Sequence, residues 1–338
     1  MAYQKVGTPR FYIDIFSYLS SIGQEYGEGY NKELFTLEPN NQKLLTENGT
    51  NEFINIELGH KIKDILNSSN LYLGFLNHSF AKADTFSLVN FDFDLNSVLN
   101  SESQGNSISI NENGCSIVTM DYEGSETTSL RFNLYSINDN TTEIPVSLGC
   151  ISFGSYYDMP QSPELDITME IEFDGFDTIK TLGGATMTNV RYAGSPWWYD
   201  VDGNKVEPWA VGDSAAITKR NGRRTWTMKF SYLDQKDLLS SNYMSNHYME
   251  NNSGYDSNDL GSNENDEQQF YFNIDNDDSF VSQVLNKVGN GQRFIFQPDN
   301  TANNPSDFVI AMLDQDSLQI KQVANGVYDI SLKITEVW

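Results

Sequence analysis

Residues 165–173 read Leu-Asp-Ile-Thr-Met-Glu-Ile-Glu-Phe and alternate apolar and polar side chains without a break. A period of two residues predicts a β-strand with one face toward a core and the other toward water. The same alternation returns at residues 226–233 and 327–338. We therefore expect these three stretches to be strands of one domain, with Trp338 on the core side of the last strand.

The first half of the chain predicts shorter strands, and Asn-, Gly- and Ser-rich turns separate them. These strands are expected at residues 71–76, 86–93, 115–122, 129–135 and 146–156. Such spacing is typical of a β-sandwich. Residues 10–23 mix aromatic and β-branched side chains, which predicts a strand or an extended N-terminal arm.

A domain boundary is predicted near residue 160, where residues 157–163 carry two prolines that stop a strand. The predicted fold is mainly β, with a β-sandwich over residues 1–160 and a second β domain over residues 161–338. That second domain has a long polar insertion at 234–277 and one short helix at 278–289.

The charge balance limits the classes of partner. The chain has 21 basic and 47 acidic residues, for a net charge of −26. Such a surface repels nucleic acid and anionic membranes, so we expect neither a specific nucleic-acid partner nor a membrane partner. We also expect a soluble protein made in a cytoplasm, because we find no signal peptide and no apolar run of about 18 residues.

Motifs that carry chemistry are scarce. The chain has three histidines and no Gly-x-Ser-x-Gly, phosphate-loop or His-Glu-x-x-His motif. Residues 256–267 match the spacing of a calcium loop in part, but a solvated acidic loop explains them better. We therefore expect no enzyme activity, no cofactor and no metal. Cys115 and Cys150 are expected to be buried thiols, with a single bridge between them as the alternative.

Aromatic and basic side chains in the long loops are the candidate interface residues. Interface cores are enriched in aromatic residues and arginine. The alternatives are that the aromatics pack onto their own domain or stack a sugar or nucleobase. The candidates are Trp197, Trp198, Trp209, Arg220, Arg223, Arg224, Tyr243 and Tyr248.

Several linked patterns stand in order in the second half. They are a Trp-containing strand, a helix, a Gly turn into a Phe-x-Phe strand, an Asn-Pro loop with a further strand, and a last strand ending in Glu-Val-Trp. Their positions are residues 226–233, 280–288, 291–299, 304–311 and 326–338. Together they resemble the distal tail and minor tail proteins of phage tail tips, over residues 150–338. Residues 151–163 are also similar to a segment of uncharacterised proteins from marine phages.

The first half is similar to the galactose-binding-like jelly-roll modules that are often fused to such proteins. Residues 71–80 carry this likeness near a family Leu-Gly-His-Asn pattern, which here reads Leu76-Asn77-His78-Ser79. The resemblance implies a structural protein of the virion tail, made in the host cytoplasm. It implies a homo-oligomeric ring that contacts other tail proteins. The alternative is a receptor-recognition protein of the virion that binds a host-surface glycan, and a glycan-cleaving enzyme ranks below both.

Overall fold

The fold is mainly β, as predicted: strands form 53% and helices 15% of the residues that the structure describes, and the sheets are antiparallel. The computed structural model describes residues 6–23, 32–39, 43–46, 52–57, 70–78, 86–89, 95–97, 103–104, 107–108, 114–121, 129–136, 146–172, 176–190, 198–199, 205–206, 223–239, 278–289, 291–303 and 307–337.

A twelve-stranded sheet organises the described chain. Ten strands follow one path, and two further strands pair with members of that path from outside it. In path order the strands are β12 (Thr168–Glu172), β17 (Arg223–Asp234), β21 (Val327–Glu336), β19 (Val309–Leu313), β18 (Phe294–Gln297), β1 (Arg10–Asp14), β11 (Val146–Asp158), β4 (Asn70–His78), β9 (Cys115–Asp121) and β6 (Leu95–Ser97), with β2 (Lys43–Thr46) and β20 (Ile320–Ala324) beside it.

Four smaller sheets accompany the large one. One has three strands, in the order β3 (Glu52–Glu57), β10 (Ser129–Ser136) and β5 (Phe86–Val89). The others are two-stranded, and they are β13 (Phe176–Lys180) with β14 (Thr186–Val190), β15 (Trp198–Tyr199) with β16 (Lys205–Val206), and β7 (Ser103–Gln104) with β8 (Ser107–Ile108).

The helices are short. They are α1 (Ile15–Ser21), a 3-10 helix (Lys32–Phe35), α2 (Gln235–Leu238), a π-helix (Val281–Leu285) and α3 (Asn286–Val288), which continues the π-helix. The helix predicted at 278–289 is confirmed, and Gly289, with a φ of 54°, ends it. The strand predicted at 10–23 is right only as far as Asp14. The Asp14 side chain then accepts a hydrogen bond from the Ser17 N–H and starts α1.

Strand β1 joins the two halves of the sequence. It pairs with β11 on one edge and with β18 on the other. Strands from both sides of residue 160 therefore belong to one sheet. The division into domains at residue 160 stays a prediction.

Two hydrophobic clusters lie on the two faces of this part of the sheet. The alternation of β1 sends Phe11 and Ile13 into one cluster and Tyr12 into the other. The first cluster includes Trp226, Phe280 and Leu332, and the second includes Tyr72 and Trp198. Because each buried aromatic or large aliphatic side chain contributes about 2 kcal/mol, both clusters hold the sheet together.

The three strands predicted from strict alternation are all present, as β12, β17 and β21. The expected core face of β12 is nevertheless wrong, because Met169 is 53% exposed and Ile171 is 46% exposed. Trp338 lies outside the described residues, so its burial stays a prediction. The predicted insertion begins with the end of β17 and α2, and residues 240–277 also lie outside the described part.

Candidate interaction surface

Three of the eight predicted interface residues fall in the described part of the chain, namely Trp198, Arg223 and Arg224. The other five lie outside it: Trp197, Trp209, Arg220, Tyr243 and Tyr248. For those five the prediction is untested.

Trp198 lies in β15 and is 1% exposed. It belongs to the same cluster as Tyr12, Tyr72 and Phe308. This environment favours the alternative that the tryptophan packs onto its own chain. A role of Trp198 in contacts between copies stays an untested prediction.

Arg224 also points into its own chain. Its Nε lies 3.0 Å from Glu336 Oε2, and its backbone N–H donates to the same oxygen at 3.1 Å. The guanidinium sits 5.0 Å from the centre of the Trp226 ring. Glu336 is 2% exposed, so the pair is shielded from water and ties β17 to the end of β21. Arg223, its neighbour, is only partly buried and lies opposite Glu172 of β12.

The surface that sequence reasoning missed is the apolar side of β12. This strand ends the large sheet, and no described strand pairs with its outer edge. Met169 lies opposite Trp226, and Ile171 lies opposite Arg224. Residues directly opposite each other in an antiparallel pair point to the same side of the sheet. Met169 and Ile171 therefore point to the same side of the sheet as the buried Trp226 and Arg224. They stay exposed because the described layer that covers this side does not extend over β12.

We call Leu165, Met169 and Ile171 the edge patch. Leu165 is 71% exposed and lies just before β12. The chain is held there by Glu164, which accepts hydrogen bonds from Ser231 Oγ and from Lys229 Nζ. These bonds hold the pKa of Glu164 below its ordinary value. The edge patch is thus fixed to β17 on one side and open on the other.

The hairpin of β13 and β14 presents a second apolar surface. Ile179 and Met187 lie opposite each other in the ladder and are 62% and 64% exposed. Leu182, in the turn, is fully exposed. The Thr181 N–H donates to the Ala185 carbonyl at 2.9 Å, which closes the turn. We call Ile179, Leu182 and Met187 the hairpin patch.

Tyr232 is a further exposed residue in an unusual conformation. It is 74% exposed and has a φ of 62°, within the irregular pairing between Phe230 and Leu233. A positive φ is unfavourable for a residue with a Cβ. Two hydrogen bonds hold it, one from the Tyr232 N–H to Asp329 Oδ1 (3.1 Å) and one from Gln161 Nε2 to the Tyr232 carbonyl (3.0 Å).

Comparison with protein-family models, with curated proteins and with solved structures found no match to this chain. The resemblance to tail-tip proteins therefore stays an expectation from the sequence. No helix in the described part of the chain is long and apolar enough to cross a membrane.

Several titratable groups whose pKa departs from its ordinary value are buried, among them Asp14 and His78. Asp14 is 2% exposed and accepts hydrogen bonds from Ser17 and Ser152, and burial raises its pKa to about 6. His78 lies 2.9 Å from Ser116 Oγ, and burial lowers its pKa to about 3. Such groups stabilise or destabilise the fold but cannot meet a substrate. Within the described ranges, no three His, Cys, Asp or Glu side chains form a group that could hold a metal ion.

The two cysteines are free and buried. Cys150 in β11 and Cys115 in β9 both pair with Leu76 of β4, so a whole strand separates them. Two strand spacings amount to about 10 Å, whereas a disulfide needs Cα atoms about 4.4–6.8 Å apart. The alternative of a bridge between these cysteines is therefore wrong.

Proposed function

We propose that this protein is a structural component of a phage tail tip, where it assembles as a closed homo-oligomeric ring and contacts other tail proteins. The observation that carries the proposal is the pair of exposed apolar surfaces on one stretch of chain, the edge patch and the hairpin patch. The resemblance of residues 150–338 to distal and minor tail proteins supplies the biological setting.

The exposure of these side chains supports a role in assembly. Single exposed apolar residues are common on any protein, but rows of them at the open edge of a sheet mark contact surfaces. Leu165, Ile179, Leu182 and Met187 are all more than 60% exposed. A strand edge with unpaired backbone groups adds a second reason for association, since another strand can extend the sheet there.

The buried state of the reactive groups supports a non-catalytic role. Asp14, His78, Cys115 and Cys150 are all nearly inaccessible to water. Burial also raises the pKa of both thiols, which keeps them in the unreactive protonated form. The net charge of −26 suits a ring that DNA passes through, because an acidic lumen does not trap the DNA.

The glycan-binding alternative requires a platform of exposed aromatic rings. Among the side chains whose exposure the structure describes, Tyr232 is the one exposed large aromatic residue. A single ring does not make a platform, but Trp197 and Trp209 lie outside the described residues, so glycan binding stays an untested alternative.

Two measurements test the proposal. The native mass of the purified full chain should correspond to one closed oligomer over a wide range of concentration. Antibody labelling of phage particles should place the chain at the tail tip. A monomer at every concentration, or a chain absent from purified particles, would refute the proposed function.

A further inference from the structure

We propose that the edge patch of one copy receives the hairpin of the next copy, so that each molecule donates a hairpin on one side and accepts one on the other. The inference rests on the proposed ring and names the surfaces that would close it. The occupant of the open edge of β12 is thus a second copy of this chain, through its strand β13.

The hairpin has no cover from the residues that the structure describes. Every described side chain from Asp177 to Asn189 is exposed. An isolated two-stranded hairpin is marginally stable in water. Its apolar pair, Ile179 and Met187, would be protected if the hairpin packed on another sheet.

The chain itself indicates which sheet this is. Only residues 173–175 separate β12 from β13, a link short enough for β13 to turn back and pair with β12. Among the described strands that pairing does not form: β12 pairs only with β17, and β13 pairs only with β14. The open edge of β12 and strand β13 are thus close in sequence but do not pair with each other in one molecule. When two such strands pair between molecules instead, the result is strand exchange.

The charges favour this head-to-tail contact over a symmetric one. Asp166, Glu170 and Glu172 give β12 and its approach only negative charge. Two β12 edges in antiparallel contact would place like charges opposite each other, which is destabilising. Lys180 of β13 offers a cation beside Ile179. Within the described residues, Glu170, Glu172 and Lys180 make no direct ion pair; the neighbouring Lys333 is paired with Asp314 at 2.6 Å and attracts Glu170 and Glu172 only from a longer distance.

A contact between two different surfaces has a consequence for assembly. An open series of copies keeps one free edge at one end and one free hairpin at the other, so the contact produces a ring when the rotation fits. Blocking the edge in one copy and the hairpin in another therefore leaves one complementary pair of surfaces. Such a mixture can form a dimer and nothing larger.

The test uses two double variants of the full chain. The acceptor variant carries Met169→Glu and Ile171→Glu, and the donor variant carries Ile179→Glu and Met187→Glu. All four side chains are at least 46% exposed, so the substitutions leave the buried clusters intact. Val323→Glu is the matched control, because Val323 is also an exposed apolar residue of this sheet, at 40%. Circular dichroism and the melting temperature check that each variant is folded.

We expect the wild type and the control to form the ring, each double variant to be monomeric, and an equimolar mixture of the two to give only a 1:1 dimer by native mass. Retention of the ring by either variant would overturn the inference and leave the proposed function standing. A mixture that stays monomeric, or a variant that forms a homodimer, would overturn the inference too. A wild type that is monomeric at all concentrations would overturn both.

A covalent readout supplements the mass measurement. A chain with Ile171→Cys and Ile179→Cys should form a ladder of linked copies on oxidation, whereas each single variant should form none. The native thiols do not interfere, because Cys115 and Cys150 are buried. A bridge within one molecule, detected by peptide mapping, would show that the hairpin covers its own edge and would overturn the inference.

Discussion

Two buried titratable residues give the stability of the fold opposite pH dependences. Burial raises the pKa of Asp14 from 3.8 to about 6, so the folded protein keeps a proton that the unfolded chain has lost. Its stabilising contribution is complete below about pH 4 and is lost as the pH rises through 6. Burial lowers the pKa of His78 from 6.5 to about 3, so only the unfolded chain takes up that proton. Its contribution is complete above about pH 6.5 and is lost as the pH falls.

Between pH 4 and 6 the pH dependences that Asp14 and His78 give to the unfolding free energy nearly cancel. Asp14→Asn removes the first, so the variant should show the pH dependence of His78 alone. The neighbouring groups Tyr72 and Cys150 stay neutral throughout, because burial raises the pKa of both. We expect the difference in unfolding free energy, wild type minus variant, to fall by about 1 kcal/mol per pH unit as the pH rises across this range. Urea unfolding at several pH values measures it. A difference that is independent of pH would contradict the raised pKa of Asp14.

Arg224 gives a second prediction at this scale. Replacement by alanine leaves the Glu336 carboxylate buried and without its ion pair, so we expect Arg224→Ala to destabilise the protein by about 3–5 kcal/mol. The matched control is Lys229→Ala, which removes an exposed ion pair of the same strand at a similar distance, 2.9 Å. The control should change the unfolding free energy only slightly. Equal effects of the two substitutions would mean that burial does not govern the pair.

At the scale of single elements, the contact of β1 with β11 depends on a glycine. Gly154 lies opposite Asp14, and a Cβ on it would come within 1.9 Å of the Ile13 carbonyl oxygen. Backbone cannot move aside as a flexible side chain can. The two strands therefore approach more closely than any other residue type would allow at that position.

Gly154→Ala should push β1 away from β11 and destabilise the fold by about 3 kcal/mol. The control is Gly183→Ala, in the turn of the β13–β14 hairpin, where a Cβ would meet nothing within 4 Å. That substitution should stay within about 0.5 kcal/mol of the wild type. Chemical unfolding of both variants measures the two effects, and a tolerated alanine at residue 154 would be incompatible with this packing.

Alternation in the sequence predicted β17 and β21 well. Each of these strands has one buried and one exposed face, so apolar and polar residues alternate along it. Alternation failed for the exposure of β12, since the pattern is the same whether or not another layer covers the apolar face. The strand expected over residues 10–23 rested on aromatic and β-branched side chains instead, and it ends at Asp14, whose side chain accepts from the Ser17 N–H and starts α1. The ion pair of Arg224 with Glu336 spans 112 residues, a separation that no local pattern reveals.

At the scale of the whole molecule, β1 couples the two hydrophobic clusters. Phe11 packs against Phe280 and Phe294 on one side, with ring centroids 5.6 and 5.7 Å apart. Tyr12 packs against Tyr72 on the other side, at 5.0 Å, and donates a hydrogen bond to Gln297 Oε1. A substitution that destabilises one cluster should therefore also destabilise the other, because both pack against β1.

We expect the described sheet to unfold in a single cooperative transition. Phe280→Ala and Tyr72→Ala each remove a buried ring from a different cluster, at a cost of about 3–5 kcal/mol. Each should shift the whole transition in calorimetry at low protein concentration, with equal calorimetric and van't Hoff enthalpies. Two transitions, each moved by only one of the variants, would instead support independent domains that divide at residue 160.

The central place of β1 also has a consequence for synthesis on the ribosome. Tyr12 and its hydrogen-bond partner Gln297 are 285 residues apart. At about 5–20 residues per second, β1 leaves the ribosome some 15 to 60 s before β18 is made. During that interval Phe11 lacks its ring partners Phe280, Phe294 and Phe296, and the edge of β1 that pairs with β18 stays unpaired. The nascent chain is thus most exposed to aggregation just before its last strands emerge, which is when help from chaperones matters most.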